Sequence, residues 1–192
     1  MNLVKVIALN EAMYSLPEIK NEIEGAIRFF FDPREYEIKF YNLTGVNIPI
    51  DMARAQVDAR DVLKAVEGKP EIQQQEGDIL ILLTDRDLYV PNMNFVFGVA
   101  DIRRKRIVLS LYRLKRDVYL VNMVDIGKYK ERVFKEIMHE IGHILGLKHC
   151  DDKSCVMSFS KTITEVDEKL PMFCRSCLSK LEDILGKKLI SF

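Results

Sequence analysis

All three histidines of this chain fall within one stretch, His139-Glu140-Ile141-Gly142-His143-Ile144-Leu145-Gly146-Leu147-Lys148-His149. The i,i+4 spacing of the first two is productive only on a helix. There it stacks the imidazoles one turn apart, where both can reach a single ion at about 2.0–2.1 Å. Gly146 then permits the sharp turn that could return His149 as a third ligand. The spacing thus demands a helix that ends abruptly beside its own ligands. Three neutral imidazoles leave the fourth position on zinc for water, the arrangement of a catalytic rather than a closed site. Glu140 adjoins the first ligand, where its carboxylate can take a proton from that water. Over Lys128 to Leu147, residues Val133, Phe134, Ile137, Ile141, Ile144 and Leu145 form one broad apolar face. His139 and His143 fall on the opposite side, which disfavours a packing role.

The cysteines lie immediately downstream, as Cys150-x4-Cys155 and Cys174-x2-Cys177. A C-x-x-C pair presents two thiolates from a tight turn, and a second pair completes a tetrahedral sulfur site. A four-thiolate zinc has no position for water, so its role would be structural. Two disulfides and an iron–sulfur cluster are alternatives that spacing leaves open. If the backbone is extended at His149 and Cys150, consecutive side chains point to opposite sides and serve different ions. The second metal would then brace the loop that delivers His149.

Upstream, Leu3 to Asn10 reads as a strand. Ser15-Leu16-Pro17-Glu18 reads as a capped helix start that aligns Ile19, Ile23, Ala26, Ile27 and Phe30 before Asp32-Pro33 stops it. Tyr36 to Leu43 alternates as a strand. Asp51 to Val66 is expected to be a second helix, with Ala55, Val62 and Val66 near one face. Asp78 to Thr84 carries an apolar run suited to a strand buried on both faces. Phe95 to Ala100 and Arg106 to Leu114 complete a β-α-β-α-β-β-β order, which implies parallel crossovers first and an antiparallel edge later. A final amphipathic helix is expected after Cys177, using Leu178, Leu181, Ile184 and Leu185.

The His139 to His149 string resembles the extended zinc signature of the metzincin metallopeptidases, which adds Gly-x-x-His to the simpler zincin motif. Followed by C-x4-C-x-M and then C-x-x-C, it resembles one branch in particular, the archaemetzincins. The motifs span Val133 to Cys177. The resemblance implies a zinc-dependent peptidase with two zinc ions per chain. His139, His143 and His149 would hold the catalytic zinc, with Glu140 as general base. Cys150, Cys155, Cys174 and Cys177 would hold the structural zinc, and Met157 would form the Met-turn beneath the site. Met157-Ser158-Phe159-Ser160 offers no tyrosine for the metal-reaching role found in some metzincins.

The expected fold class is α/β (α+β) and metzincin-like. A mixed twisted sheet of about five strands has flanking helices and an active-site helix. An irregular, zinc-braced C-terminal part follows and ends in a helix. Residues 1–146 and 147–192 are expected to form two subdomains of one compact unit. The substrate would be a peptide or small protein lying along an edge strand, with Phe95 to Ala100 the candidate. Cleavage at a terminus and within a chain are both compatible with the motifs.

The rival reading is a zinc-stabilised module that binds peptide or nucleic acid without chemistry, using Arg175 or the Arg103-Arg104-Lys105-Arg106 cluster. Against it, 29 basic and 29 acidic residues give zero net charge, so no polyanion or anionic membrane partner is expected. That basic run then reads as a solvated turn. Lys5 interrupts the apolar start and Glu11 closes it, unlike a secretory signal, so a cytoplasmic monomer is the expectation.

Overall fold

The computed structural model describes residues 1–116 and 125–189. Strand β1 (Asn2–Leu9) leads through a 3-10 turn into helix α1 (Leu16–Phe30), which buries Ile19, Ile23, Ala26, Ile27 and Phe30 as its periodicity predicts. Ser15 does not cap it. The 3-10 turn runs straight into the helix, so Ser15 is itself in the right-handed helical region and makes no side-chain capping bond. Strand β2 (Tyr36–Leu43) returns parallel to β1.

The expected helix from Asp51 is halved. The Asp51 carboxylate accepts from the backbone N–H groups of Ala53 and Arg54 at 3.0 and 3.2 Å, and Asp51 bridges to Gln56. This Asx-type turn competes with helix formation. Ala55 consequently takes a φ of 53° and is exposed rather than on a buried face. Strand β3 (Val57–Asp58) follows, and helix α2 (Ala59–Val66) starts only after Asp58, whose carboxylate accepts from Arg60 N at 2.9 Å.

Strands β4 (Ile79–Thr84), β5 (Leu88–Tyr89), β6 (Gly98–Asp101) and β7 (Arg106–Ser110) come next. Strand β6 lies later than expected because Val96 bridges to Leu88 instead. Strand β7 stops at Ser110, whose Oγ accepts from Tyr112 N at 3.3 Å and turns the chain. Helix α3 (Ile126–Ile144) is N-capped by Asp125 and C-capped by Leu145, after which Gly146 turns the chain with a φ of 97°. A capping box of Thr162 and Glu165 opens the short helix α4 (Ile163–Glu168), which no sequence expectation anticipated. Helix α5 (Arg175–Leu185) begins before Cys177, because Cys174 occupies its N-cap.

The main sheet has the order β2-β1-β4-β7-β6, its first four strands parallel and β6 antiparallel at the edge. Alternation divides the core. Val4, Val6, Ile81, Leu83, Ile107 and Leu109 face the layer of α1 and α3, while Ile7, Leu80, Leu82 and Val108 face that of α2. Both faces are covered, so β4 is buried from end to end. This is the α/β sheet with flanking helices expected from the sequence. Arg103, Arg104 and Lys105 form an exposed turn between β6 and β7. Among the described residues, no helix is long and apolar enough to cross a membrane.

Candidate active site

Helix α3 is buried on more than its apolar face, because the chain after Cys155 packs over it. Arg132 forms a two-point ion pair with Asp167 at 2.6 and 2.7 Å. Lys135 Nζ donates to the carbonyls of Val166 and Asp167, both at 3.1 Å. Lys169 Nζ donates to Glu136 Oε1 at 2.8 Å. These contacts bind α4 and its flanks to α3, and leave His139 and Glu140 only 6% and 4% exposed.

The three imidazoles converge, with their ligand atoms all within 4.8 Å of one another. His139 Nδ1 donates to Val156 O and His143 Nδ1 to Leu147 O, each at 2.8 Å. With Nδ1 as donor, each neutral ring presents a lone pair at Nε2. The two Nε2 atoms stand 3.0 Å apart, close to the separation of two ligands on one tetrahedral ion. Burial keeps the rings neutral: it lowers His139 to about 4 and also lowers His143 and His149. Two acceptors face to face repel unless a cation lies between them, so this donor set fits a zinc ion.

Glu140 lies between this cluster and the sheet edge. Burial, reinforced by Glu136, pushes its carboxyl up to about 8, and its buried Oε2 has no hydrogen-bond partner. The other oxygen lies against β6: a Cβ on Gly98 would stand 2.7 Å from Glu140 Oε1. No local sequence pattern marks Gly98. The cleft, about 320 Å³, runs between β6 with its lead-in Phe95 to Phe97 and the imidazoles on α3. Phe159 packs on His149 with ring centroids 4.9 Å apart.

The four thiols form a second cluster, also within 4.8 Å of one another. Cys150 Sγ and Cys174 Sγ are 3.8 Å apart, too far for a disulfide and the spacing of two thiolates at about 2.3 Å on a tetrahedral ion. Burial raises the Cys155 thiol to about 11 and raises Cys177 as well, while hydrogen bonds from Cys177 hold Cys174 below its ordinary value, so ionising the two buried thiols calls for a cation beside them. Met157 is fully buried under the helix turn between His139 and His143: a Cβ on Gly142 would stand 2.5 Å from its Sδ.

Residues 33–183 match the model of Peptidase family M54. The chain belongs to that family. It is 42% identical over 145 residues to an archaemetzincin of Methanocaldococcus jannaschii, covering 73% of this chain and 76% of that one. It is 38% identical over 167 residues to an archaemetzincin of Archaeoglobus fulgidus, covering 87% and 86%. The crystal structure of the archaemetzincin of Methanopyrus kandleri superposes with a TM-score of 0.78 at 34% identity, covering 97% of this chain and 96% of that one. As an M54 peptidase the chain is a zinc-dependent metallopeptidase, and its three-imidazole and four-thiol donor sets fit a catalytic and a structural zinc.

Proposed function

We propose that peptide hydrolysis takes place in the cleft between β6 and α3, with His139, His143 and His149 holding the catalytic zinc and Glu140 acting as general base. The observation that carries this reading is the convergence of two Nε2 lone pairs beside the buried, unpartnered Glu140 Oε2. Zinc bound there would polarise the scissile carbonyl and lower the pKa of a water. The charge of a zinc beside it would favour the ionised carboxylate, so that Glu140 would accept the proton of the attacking water at Oε2 and return it to the leaving amine. The free edge of β6 would align an extended peptide through main-chain hydrogen bonds. Cys150, Cys155, Cys174 and Cys177 would hold a structural zinc, and Met157 would support the floor of the site.

The reading extends to a monomer acting in the cytoplasm on peptides or small proteins, without nucleic-acid or membrane partners. Four thiols gathered as one donor set support a reducing compartment. Residues 1–146 and 147–192 would be subdomains of one compact unit; Val4 and Leu181 share a single core cluster. A module that only binds has no use for a buried carboxylate beside its ligands. Glu140→Gln is therefore expected to retain two zinc ions per chain while turnover falls by about 10²–10⁴-fold. Hydrolysis surviving that change would remove Glu140 as the base.

A further inference from the structure

Two buried lysines stand near the cleft, and they differ in how their ammonium groups are satisfied. Lys135 Nζ meets three acceptors, Glu131 Oε1 at 2.6 Å and the carbonyls of Val166 and Asp167 at 3.1 Å. That is the full complement of an ammonium, and it accounts for Lys135 as a clamp. Lys169 is equally buried at 1% exposure and borders the cleft, yet Glu136 Oε1 is its one acceptor among the described residues. Two of its N–H donors are left for something else. Buried N–H donors gain from a further acceptor, so an acceptor entering the cleft at this point would be stabilised.

Glu136 precedes Glu140 by one helical turn, which places the Lys169–Glu136 pair about 6 Å along α3 from the base. One turn further, Arg132 donates to the carbonyls of Leu114 and Arg116. Here the cleft adjoins a second pocket, which shares Phe95 and Phe97 with it and is walled by Arg113, Arg116 and Lys161. Asp87 matches the charge of Arg113 at 2.7 and 2.8 Å. The Arg116 guanidinium and Lys161 Nζ have no carboxylate partner among the described residues, although the Lys161 backbone N–H donates to Glu165 Oε2. The cleft thus becomes cationic in one direction from Glu140.

Resting on the peptidase reading above, we propose that the enzyme selects peptides with an acidic residue next to the scissile bond, its carboxylate bound by Lys169, and that Arg116 and Lys161 favour further acidic residues beyond it. A peptide pairing antiparallel with β6 would run from the Asp101 end towards Phe97, and in that orientation the acidic residue is the one that follows the scissile bond. A carboxylate there makes charge-assisted bonds to a desolvated ammonium; an apolar residue leaves those N–H groups bare, and a lysine is repelled.

The test uses four labelled peptides, identical except for Glu, Gln, Leu or Lys after the scissile bond. Binding to zinc-loaded Glu140→Gln is measured by fluorescence anisotropy, and cleavage by the wild type is measured in parallel. The Glu peptide should bind about tenfold or more tightly than the Leu peptide, with the Lys peptide weakest. In Lys169→Met that ratio should fall to near one. If this variant unfolds because Glu136 is left unpaired, Lys169→Met with Glu136→Leu removes both charges. Arg116→Gln with Lys161→Gln, both at the surface, should reduce the advantage of a second acidic residue several-fold. Equal affinity for the Glu and Leu peptides, or a preference that persists without Lys169, would overturn the proposal. Wild-type cleavage of all four at one rate would overturn it too, while leaving the peptidase reading intact. Preferential binding of the Glu peptide with no cleavage of any would support the acidic pocket and remove the peptidase reading.

Discussion

His149 and Cys150 are consecutive in the chain yet belong to different donor clusters, the imidazole grouped with His139 and His143 and the thiol with Cys155, Cys174 and Cys177. Cys150 N donates to Met157 O at 2.9 Å, and Cys150 forms a parallel bridge with Ser158. Extended backbone at this point sends neighbouring side chains to opposite sides. The two donor sets therefore share one short stretch of main chain, and whatever anchors Cys150 also holds His149 at the mouth of the cleft.

Loosening the thiol cluster should consequently weaken the imidazole cluster. In Cys174→Ser the zinc content is expected to fall from two ions to one, and the affinity for the remaining ion to drop about 10–100-fold. Metal analysis with competition against a chromophoric chelator measures both quantities. Unchanged affinity at the histidines would show that His149 is held by other means, such as its contact with Phe159.

Gly98 should matter for catalysis more than for stability. An added methyl would meet Glu140 Oε1 at 2.7 Å, and Glu140 is too buried to swing aside freely. Gly98→Ala is expected to lower kcat by about 10²-fold through misplacement of the carboxylate, with zinc content unaltered. Steady-state kinetics beside metal analysis check this, and a wild-type kcat would refute it.

Gly142 and Met157 should be energetically coupled. A Cβ at 142 would stand 2.5 Å from Met157 Sδ in a fully buried setting. Gly142→Ala is expected to cost about 1–3 kcal/mol by overpacking. Combined with Met157→Ala, the cost should be less than the sum of the two single changes, since shortening the side chain makes room for the methyl. Urea unfolding of the two single variants and the double variant closes the cycle.

Arg132 is 3% exposed, and its partner Asp167 is 26% exposed. Arg132→Met strands the carbonyls of Leu114 and Arg116 as well as the carboxylate, for an expected loss of about 2–4 kcal/mol. Asp167→Asn should cost less, because that end of the pair reaches water. Denaturant midpoints rank the two, and the opposite order would contradict the assigned burial.

The parts of the molecule that could be read along the chain are those governed by short-range repeats. The helical period aligned Ile19, Ile23, Ala26, Ile27 and Phe30, and the apolar run of β4 declared a strand covered on both faces. Reading failed where a side chain competed with the backbone. Asp51 closed a turn in place of the first half of a helix, and Ser110 ended β7 four residues early. Both are single hydrogen-bonding choices that hydrophobic periodicity does not register.

The sequence alone determined which rare residues could gather: i,i+4 spacing put His139 and His143 on one helical face, and Gly146 allowed the turn towards His149. Tertiary structure decided what surrounds them. It set Gly98 of the edge strand against Glu140, slid Met157 beneath Gly142, and brought Lys169 to Glu136 across 33 positions of chain. Spacing along a helix is set by covalent geometry and is visible in a string of letters. Contacts between β6, α3 and the loop after α4 arise only when distant segments bury shared apolar surface, and no local pattern encodes where they meet.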